Sequence, residues 1–299
     1  MNIQAAFEAP GRWYRGNLHT HTSASDGDCT VEQATAFYRN NGYDFVAITD
    51  HCVCMDVDGL SDAGFLVLHG MEVNGSGANG RDYHVVGLGG RWAPNQRVEE
   101  GSSLQGDIDC LRERGALVVL AHPYWLGQPS TELAAVSGAV GLEVYNAVTD
   151  VGYFKGYSNV HWDDLLAAGQ RIWGFAVDDA HWKPWRKDAG LGWVMAKSIE
   201  LTAPAIMESL RLGRFYATTG PTIEDFRVDG DEVSISCSPV ASINAIGERW
   251  FCRTAQAGPG KAITEACLKL WEGQTYVRAE VVDRAGKRAW SNPIFLADA

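Results

Sequence analysis

No run of roughly 18 apolar residues occurs in the 299-residue sequence, so no segment reads as a membrane span. Residues Met1 to Arg12 lack a basic stretch followed by an apolar one, so no secretory signal is read there. Basic residues are few: 25 Lys and Arg stand against 37 Asp and Glu, a formal net charge of -12. That balance argues against a surface that coats a nucleic acid, although a local cluster of metal ions still attracts phosphate. The seven cysteines (29, 52, 54, 110, 237, 252 and 267) include no CxxC pair. An odd set of this kind fits free thiols in a reducing compartment, and a cytoplasmic location is expected; in an exported protein Cys252 and Cys267 are the pair to watch. Internal repeats and low-complexity segments are missing too. With 46% hydrophobic residues the chain is not disordered, and 33 Gly with 10 Pro along its length exclude a coiled coil.

What is present falls into two regimes. From Tyr14 to about Pro221, short apolar runs alternate with segments of helical period. The runs are 44–51, 64–73, 116–123, 141–146 and 171–181; the helices are expected at 31–41 (opening after Thr30), 104–114, 162–168 and 204–212. Gly42, Gly115, Gly169 and Gly213 stand where those helices should stop. Continuous apolar strands separated by helices indicate an α/β fold, with a parallel sheet covered on both faces or a barrel. After Pro221 the pattern becomes short strands with polar turns, Asp229-Gly230 and 284–287 reading as hairpins. Residues 1–221 are thus expected to form one domain and 222–299 a small antiparallel β-sandwich, with Trp250 and Trp271 in its core or at its seam.

Six of the eight histidines fall at successive strand ends in the company of acids. His19-x-His21 follows an apparent first strand, and a period of two puts both imidazoles on one side. Asp26 comes five residues on; His51 ends the second strand, Glu72 the third, with His84 after it; His122 and Asp179-x-His181 end two more. In an α/β barrel the carboxyl ends of the strands converge on one mouth. Six imidazoles, two aspartates and a glutamate there are a donor set for divalent transition metals, and nine ligands suit two or three ions rather than one. HxH or DxH alone is weak, and a lone strand-end histidine is more often a hydrogen-bonded structural residue. His69 and His161 have no acidic company and are read that way.

In this order, His19-x-His21, Asp26, Thr49-Asp50-His51, Glu72, His84, Ala121-His122-Pro123 and Asp179-x-His181 resemble the PHP (polymerase and histidinol phosphatase) family of metal-dependent phosphoesterases. The resemblance spans about residues 12–221. It implies a distorted seven-stranded β/α barrel and a trinuclear centre of Zn, Mn or Fe. It also implies a first ion on His19, His21, Glu72 and Asp179, a second on Glu72, His84 and His122, and a third on Asp26, His51 and His181. Asp26 departs from members with His there and matches another branch. The segments 142–146, 213–221 and 289–294 further resemble the branch that includes carbaryl hydrolases, which adds a C-terminal β-domain.

The chemistry implied is hydrolysis by a hydroxide bridging two metals, with the ions taking up charge on substrate oxygens. A phosphate monoester or diester of a small organic molecule is the expected substrate; a carbamate or carboxyl ester is the alternative. A nucleic-acid polymer is disfavoured, since there is no basic track for a strand. Asp50 is expected to orient a ligand. Asp178 is either a partner or proton carrier for Asp179 or a solvated residue facing the helices. Glu143 and Asn146 either contact substrate and water or pack the mouth. In 182–187, Lys183 or Arg186 would grip a phosphate and Trp182 or Trp185 would stack on a ring, unless this is a surface loop packed on the second domain. Tyr124 and Trp125 are similarly placed.

Overall fold

The computed structural model describes residues 5–77, 80–101 and 103–296. Runs without polar alternation become strands buried on both faces: Phe45–Ile48, Gly141–Asn146 and Trp173–Val177 are buried at every position. Arg12–Asn17, Phe45–Ile48 and Leu66–Ser76 pair in parallel. Leu117–Leu120, Gly141–Asn146 and Trp173–Val177 form a second parallel series. Between the two lies Asp82–Leu88, antiparallel to both neighbours. The expected parallel pairing is interrupted at this strand. Ser76 is registered opposite Asp82, and so short a connection returns a strand only in the antiparallel sense. The first and last strands of the series meet past their carboxyl ends, where Thr20 bridges Ala180 in parallel.

The helices on this sheet start and stop where their end residues dictate. Val31–Asn40 opens with a reciprocal cap between Thr30 and Gln33, and Leu104–Glu113 opens on the Ser103 side chain. Gly42, Gly115, Gly169 and Gly213 all take positive φ after a helix end, between 71° and 88°. Asn159–Ala167 begins three residues earlier than its periodicity predicts, and the short helices Pro123–Leu126, Ser130–Ala134 and Ala147–Tyr153 were not foreseen. Segments this short hold less than two turns of pattern.

Beyond Arg12–Asn17 the sheet continues antiparallel through Trp193–Ser198 and Phe215–Thr218. It then passes into Arg288–Ser291, Tyr276–Val282, Ser242–Ile246 and Cys252–Gln256. One 14-stranded sheet therefore crosses the compositional break at Pro221. A second sheet, Ile223–Asp229, Glu232–Val240 and Ile263–Lys269, packs on its far end through a core that includes Phe226, Val233, Ile235, Val281 and Ala289. The chain is thus a mixed α/β protein with antiparallel strands gathered towards its C-terminal part. Trp250 departs from expectation: it is 63% exposed, with its ring 4.8 Å from Trp271 at the surface. All seven cysteines are free.

Candidate metal centre

The site is assembled where strand extensions interlock. His21 N–H donates to the Ala180 carbonyl and Asp179 N–H to the His19 carbonyl (both 2.9 Å), which sets His19-x-His21 beside Asp179-x-His181. On the other flank Thr49 N–H donates to Thr20, and His51 bridges Glu72 in parallel. His84 is registered opposite Asn74, and its carbonyl accepts from Ala121 N–H, delivering His122 to the same place. Period two and strand pairing thus bring all nine predicted ligands together.

Glu72 lies at the centre, and it is 1% exposed. Its Oε2 is 3.3 Å from Nε2 of both His19 and His21 and 3.2 Å from Nδ1 of His51. Its Oε1 is 2.8 Å from His84 Nδ1 and 3.1 Å from His122 Nε2. Asp179 Oδ1 is 2.9 Å from His21 Nε2 and 3.3 Å from His19 Nε2. Towards the opening, Asp26 Oδ2 sits 3.2 Å from His181 Nε2 and 3.8 Å from His51 Nε2.

Three sets of possible ligands converge: His19, His21, Glu72 and Asp179; His51, Glu72 and His84; and His21, Asp26, His51 and His181, each with donor atoms within 4.8 Å of one another. His122 adjoins the second set through Glu72. The donor chemistry fits divalent metal. Ligand bonds of about 2.0–2.2 Å put tetrahedral ligand atoms about 3.3 Å apart, the spacing found around Glu72. Five imidazole nitrogens around one buried carboxylate are more than its two oxygens can satisfy as hydrogen-bond partners. His51 Nδ1, buried, has no hydrogen bond at all.

Electrostatics agree. Burial alone would lower the pKa of His21, but hydrogen bonds to Asp179 and Glu72 outweigh it and push it up to about 10. Burial likewise opposes, and Asp179, Glu72 and Glu143 together reverse, the shift at His19, which lies well above its ordinary value. Burial would raise Glu72, Asp179 and Asp26, yet the surrounding imidazoles hold all three carboxyls well below the usual range. His51, where burial prevails, is lowered. The site stabilises positive charge among its carboxylates, supplied by protons or by metal cations.

Around these ligands is a buried scaffold. Glu143 Oε1 accepts from His19 Nδ1 at 2.6 Å, which leaves the His19 Nε2 lone pair facing the cluster. Its Oε2 accepts from His122 N–H and from Asn146 Nδ2, and Asn146 also reaches Asp179 Oδ2 at 3.1 Å. Asp50 accepts from Thr22 N–H, Thr22 Oγ1 and Ser25 Oγ, bracing the turn that carries Asp26. In that turn a Cβ on Gly27 would stand 2.7 Å from the His21 carbonyl carbon, so only glycine lets the chain pass. His122 (φ 28°) and Asp179 (φ 54°) hold positive φ, as do Cys52 and Trp182, each beside a ligand histidine. Such strain, sparse elsewhere, gathers here because the surrounding pairing over-determines it.

Not every expected residue faces the site. Asp178 is fully buried against Tyr38 Oη and the N–H groups of Gly190, Leu191 and Gly192; burial pushes its pKa up to about 6. It fastens the loop 190–192 and does not line the cavity. Lys183 and Arg186 do line it, each paired with an aspartate. Trp182 donates its indole N–H to the His21 carbonyl and packs on Phe37 and Tyr38 rather than on the C-terminal strands, and Trp185 is exposed. His69 and His161 bond to the Gly90 and Gln128 carbonyls, away from the cluster. Sequence reasoning missed Thr22, Ser25 and the buried Asp188, which accepts from His181 N–H, Trp182 N–H and Arg186 Nε. Nothing in their local sequence marks these three.

No known family profile and no curated protein matches the sequence. Among solved structures, a two-domain protein from Bacteroides vulgatus, described as containing a predicted PHP-like metal-dependent phosphoesterase, is 16% identical. It covers 92% of this chain and 93% of its own, with a TM-score of 0.54. The chain has a PHP-like fold. A provisionally assigned metal-dependent phosphoesterase from Bifidobacterium adolescentis (16% identical, 58% of this chain, 91% of its own, TM-score 0.42) also matches. So does an amidohydrolase from Chromobacterium violaceum (18%, 56% and 87%, TM-score 0.41). In this PHP-like fold the ligand cluster stands at the carboxyl ends of the strands, open to a cavity of about 390 Å³.

Proposed function

We propose that the protein is a metal-dependent hydrolase that cleaves a phosphate monoester or diester of a small organic molecule. The observation that carries this is Glu72, a buried carboxylate ringed by five imidazole nitrogens at the floor of an open cavity. His19, His21, Glu72 and Asp179 would hold one ion, Glu72, His84 and His122 a second, and Asp26, His51 and His181 a third, with Zn, Mn and Fe as the candidates. Such ions supply Lewis acidity and lower the pKa of water towards neutrality.

The chain's own groups keep that donor set in place. Glu143 holds His19 in the tautomer that presents Nε2, and Asn146 fixes one oxygen of Asp179. His181 Nδ1 donates to the Asp179 carbonyl, so its Nε2 is left for a ligand role. Water is excluded from the inner ligands, since His19, His21 and Glu72 are all but fully buried. Asp26, half exposed, faces the opening where substrate enters. Residues 1–221 are read as the catalytic part, with the strands curled into a distorted barrel, a reading the Thr20–Ala180 bridge supports. Residues 222–299 buttress them.

Elemental analysis of the purified protein, with parallel rates on an aryl phosphate, an aryl phosphodiester, an aryl ester and an aryl carbamate, tests this. Two or three ions per chain and fastest turnover of a phosphate are expected. Faster carbamate or ester cleavage would reassign the substrate. Under one ion per chain, with no activity after Mn or Zn is added, would sink the enzyme reading.

A further inference from the structure

The ligand cluster defines the reacting centre, and the remaining walls of the same cavity bear on what is attached to it. One wall is aromatic. Trp125 meets the rings of His122 (5.1 Å, 81°) and His84 (6.1 Å, 80°), so its indole begins where the ligands end. Tyr153 continues that surface outward, 5.5 Å from Trp125 and tilted by 45°. Tyr153 is 52% exposed, which leaves open aromatic area beside the polar floor. Its position is tied to the metal centre: the helix Ala147–Tyr153 is capped by Asn146, whose amide also holds Asp179 and Glu143.

The cavity lining also holds Lys183, the exposed Trp185 and Arg186, and each of the two cations already has a carboxylate partner. Lys183 Nζ is 2.5 Å from Asp28 Oδ1, and Arg186 Nε is 3.0 Å from the buried Asp188 Oδ2. A second anionic group on the substrate would gain less from cations whose charge those carboxylates already offset. An uncharged flat ring needs no cation and gains stacking area on Trp125 and Tyr153. A cavity of about 390 Å³ suits one phosphate with a ring system of modest size.

We infer that the group esterified to the phosphate is an uncharged aromatic ring seated on Trp125 and Tyr153. This rests on the phosphoesterase reading and narrows it. The two residues are specificity-determining: both touch the leaving group, and Trp125 also packs on the His122 and His84 rings whereas Tyr153 meets Trp125.

Calorimetric titration of the metal-loaded full chain with non-hydrolysable phosphonates separates the two claims. Phenylphosphonate should bind about tenfold tighter than methylphosphonate, the size of one good aromatic contact. Tyr153→Leu should erase most of that difference and leave methylphosphonate affinity within about twofold, with unchanged metal content, and Trp125→Phe, which keeps a ring against His122 and His84, should erase part of it. 4-Carboxyphenylphosphonate should bind no tighter than phenylphosphonate. Equal affinity for the phenyl and methyl compounds, or equal losses for both in the two variants, overturns the ring assignment and spares the phosphoesterase reading. Tighter binding of the carboxylated ring overturns the uncharged part. If neither phosphonate binds metal-replete protein, the phosphoesterase reading falls and the ring assignment with it.

Discussion

Glu143 shows how a residue can matter to a metal centre without belonging to it. It accepts from His19 Nδ1, from His122 N–H and from Asn146, three groups that each fix a ligand or its neighbour. In Glu143→Gln one of the two acceptor oxygens becomes an NH₂ donor, so His19 or the His122 amide loses its partner. Outer partners of this kind typically carry 10–100-fold in metal affinity, roughly. Glu143→Gln should therefore weaken metal retention by about that factor against a competing chelator while the fold persists. Retention equal to the parent's would show that Glu143 only packs the mouth. At this scale the sequence was legible where a side chain's type and its place at a strand end coincided. His19, His21, Asp26, His51, Glu72, His84, His122, Asp179 and His181 all lie together. Thr22, Ser25 and Asp188 were illegible, because their partners are set by how loops close and hydroxyls and single carboxylates are common in loops.

Alternation within an element decides what each of its side chains can do. On Glu232–Val240 the inward positions are Val233, Ile235 and Cys237; on the neighbouring Ile263–Lys269 the thiol of Cys267 points outward and is exposed. Burial pushes the Cys237 thiol up to about 11, and that of Cys54, in the buried strand Val53–Cys54, also to about 11. A thiol raised on folding stays protonated where an unfolded chain, with a value of about 8.5, has begun to ionise. Its contribution to stability is therefore lost as pH rises from about 8.5 towards 11, because the unfolded state binds fewer protons there. Iodoacetamide at pH 8 should label Cys110, Cys252 and Cys267 well before Cys54 and Cys237, as read by peptide mass spectrometry. Early labelling of Cys237 would mean that the two sheets do not close over it. Helix ends were legible in Thr30 and in the four stop glycines. The strands Asp82–Leu88, Trp193–Ser198 and Ile263–Lys269 were not, because mixed or outward-polar runs blur a period of two.

The whole molecule is held across the compositional break by groups that composition does not reveal. Asn292 donates to the Gly213 and Phe215 carbonyls and accepts from Gly174 N–H, so the last strands are fastened to the strand preceding Asp179. Arg278, in Tyr276–Val282, is 1% exposed and forms a two-pronged pair with Asp163 on the helix Asn159–Ala167 at 2.8 Å for each bond. Its third contact is Glu280, which also accepts from Asn159, and its guanidinium lies over the Trp162 ring at 4.9 Å. In the sequence Arg278 is a charged residue in an alternating strand, and only the folded chain shows it facing a helix 115 residues away. Removing one partner of a buried pair strands the other, at a cost of about 3–5 kcal/mol. Asp163 is one-third exposed and recovers some hydration, so the lower end of that range applies to Arg278→Met. Urea denaturation should show a loss of about 3 kcal/mol. Metal content per folded chain should stay at the parent level, because the pair lies outside the ligand cluster. A loss below about 1 kcal/mol, the range of a surface pair, would mean that the antiparallel strands hold to the metal-bearing part through the Phe215–Thr218 pairing and Asn292 alone.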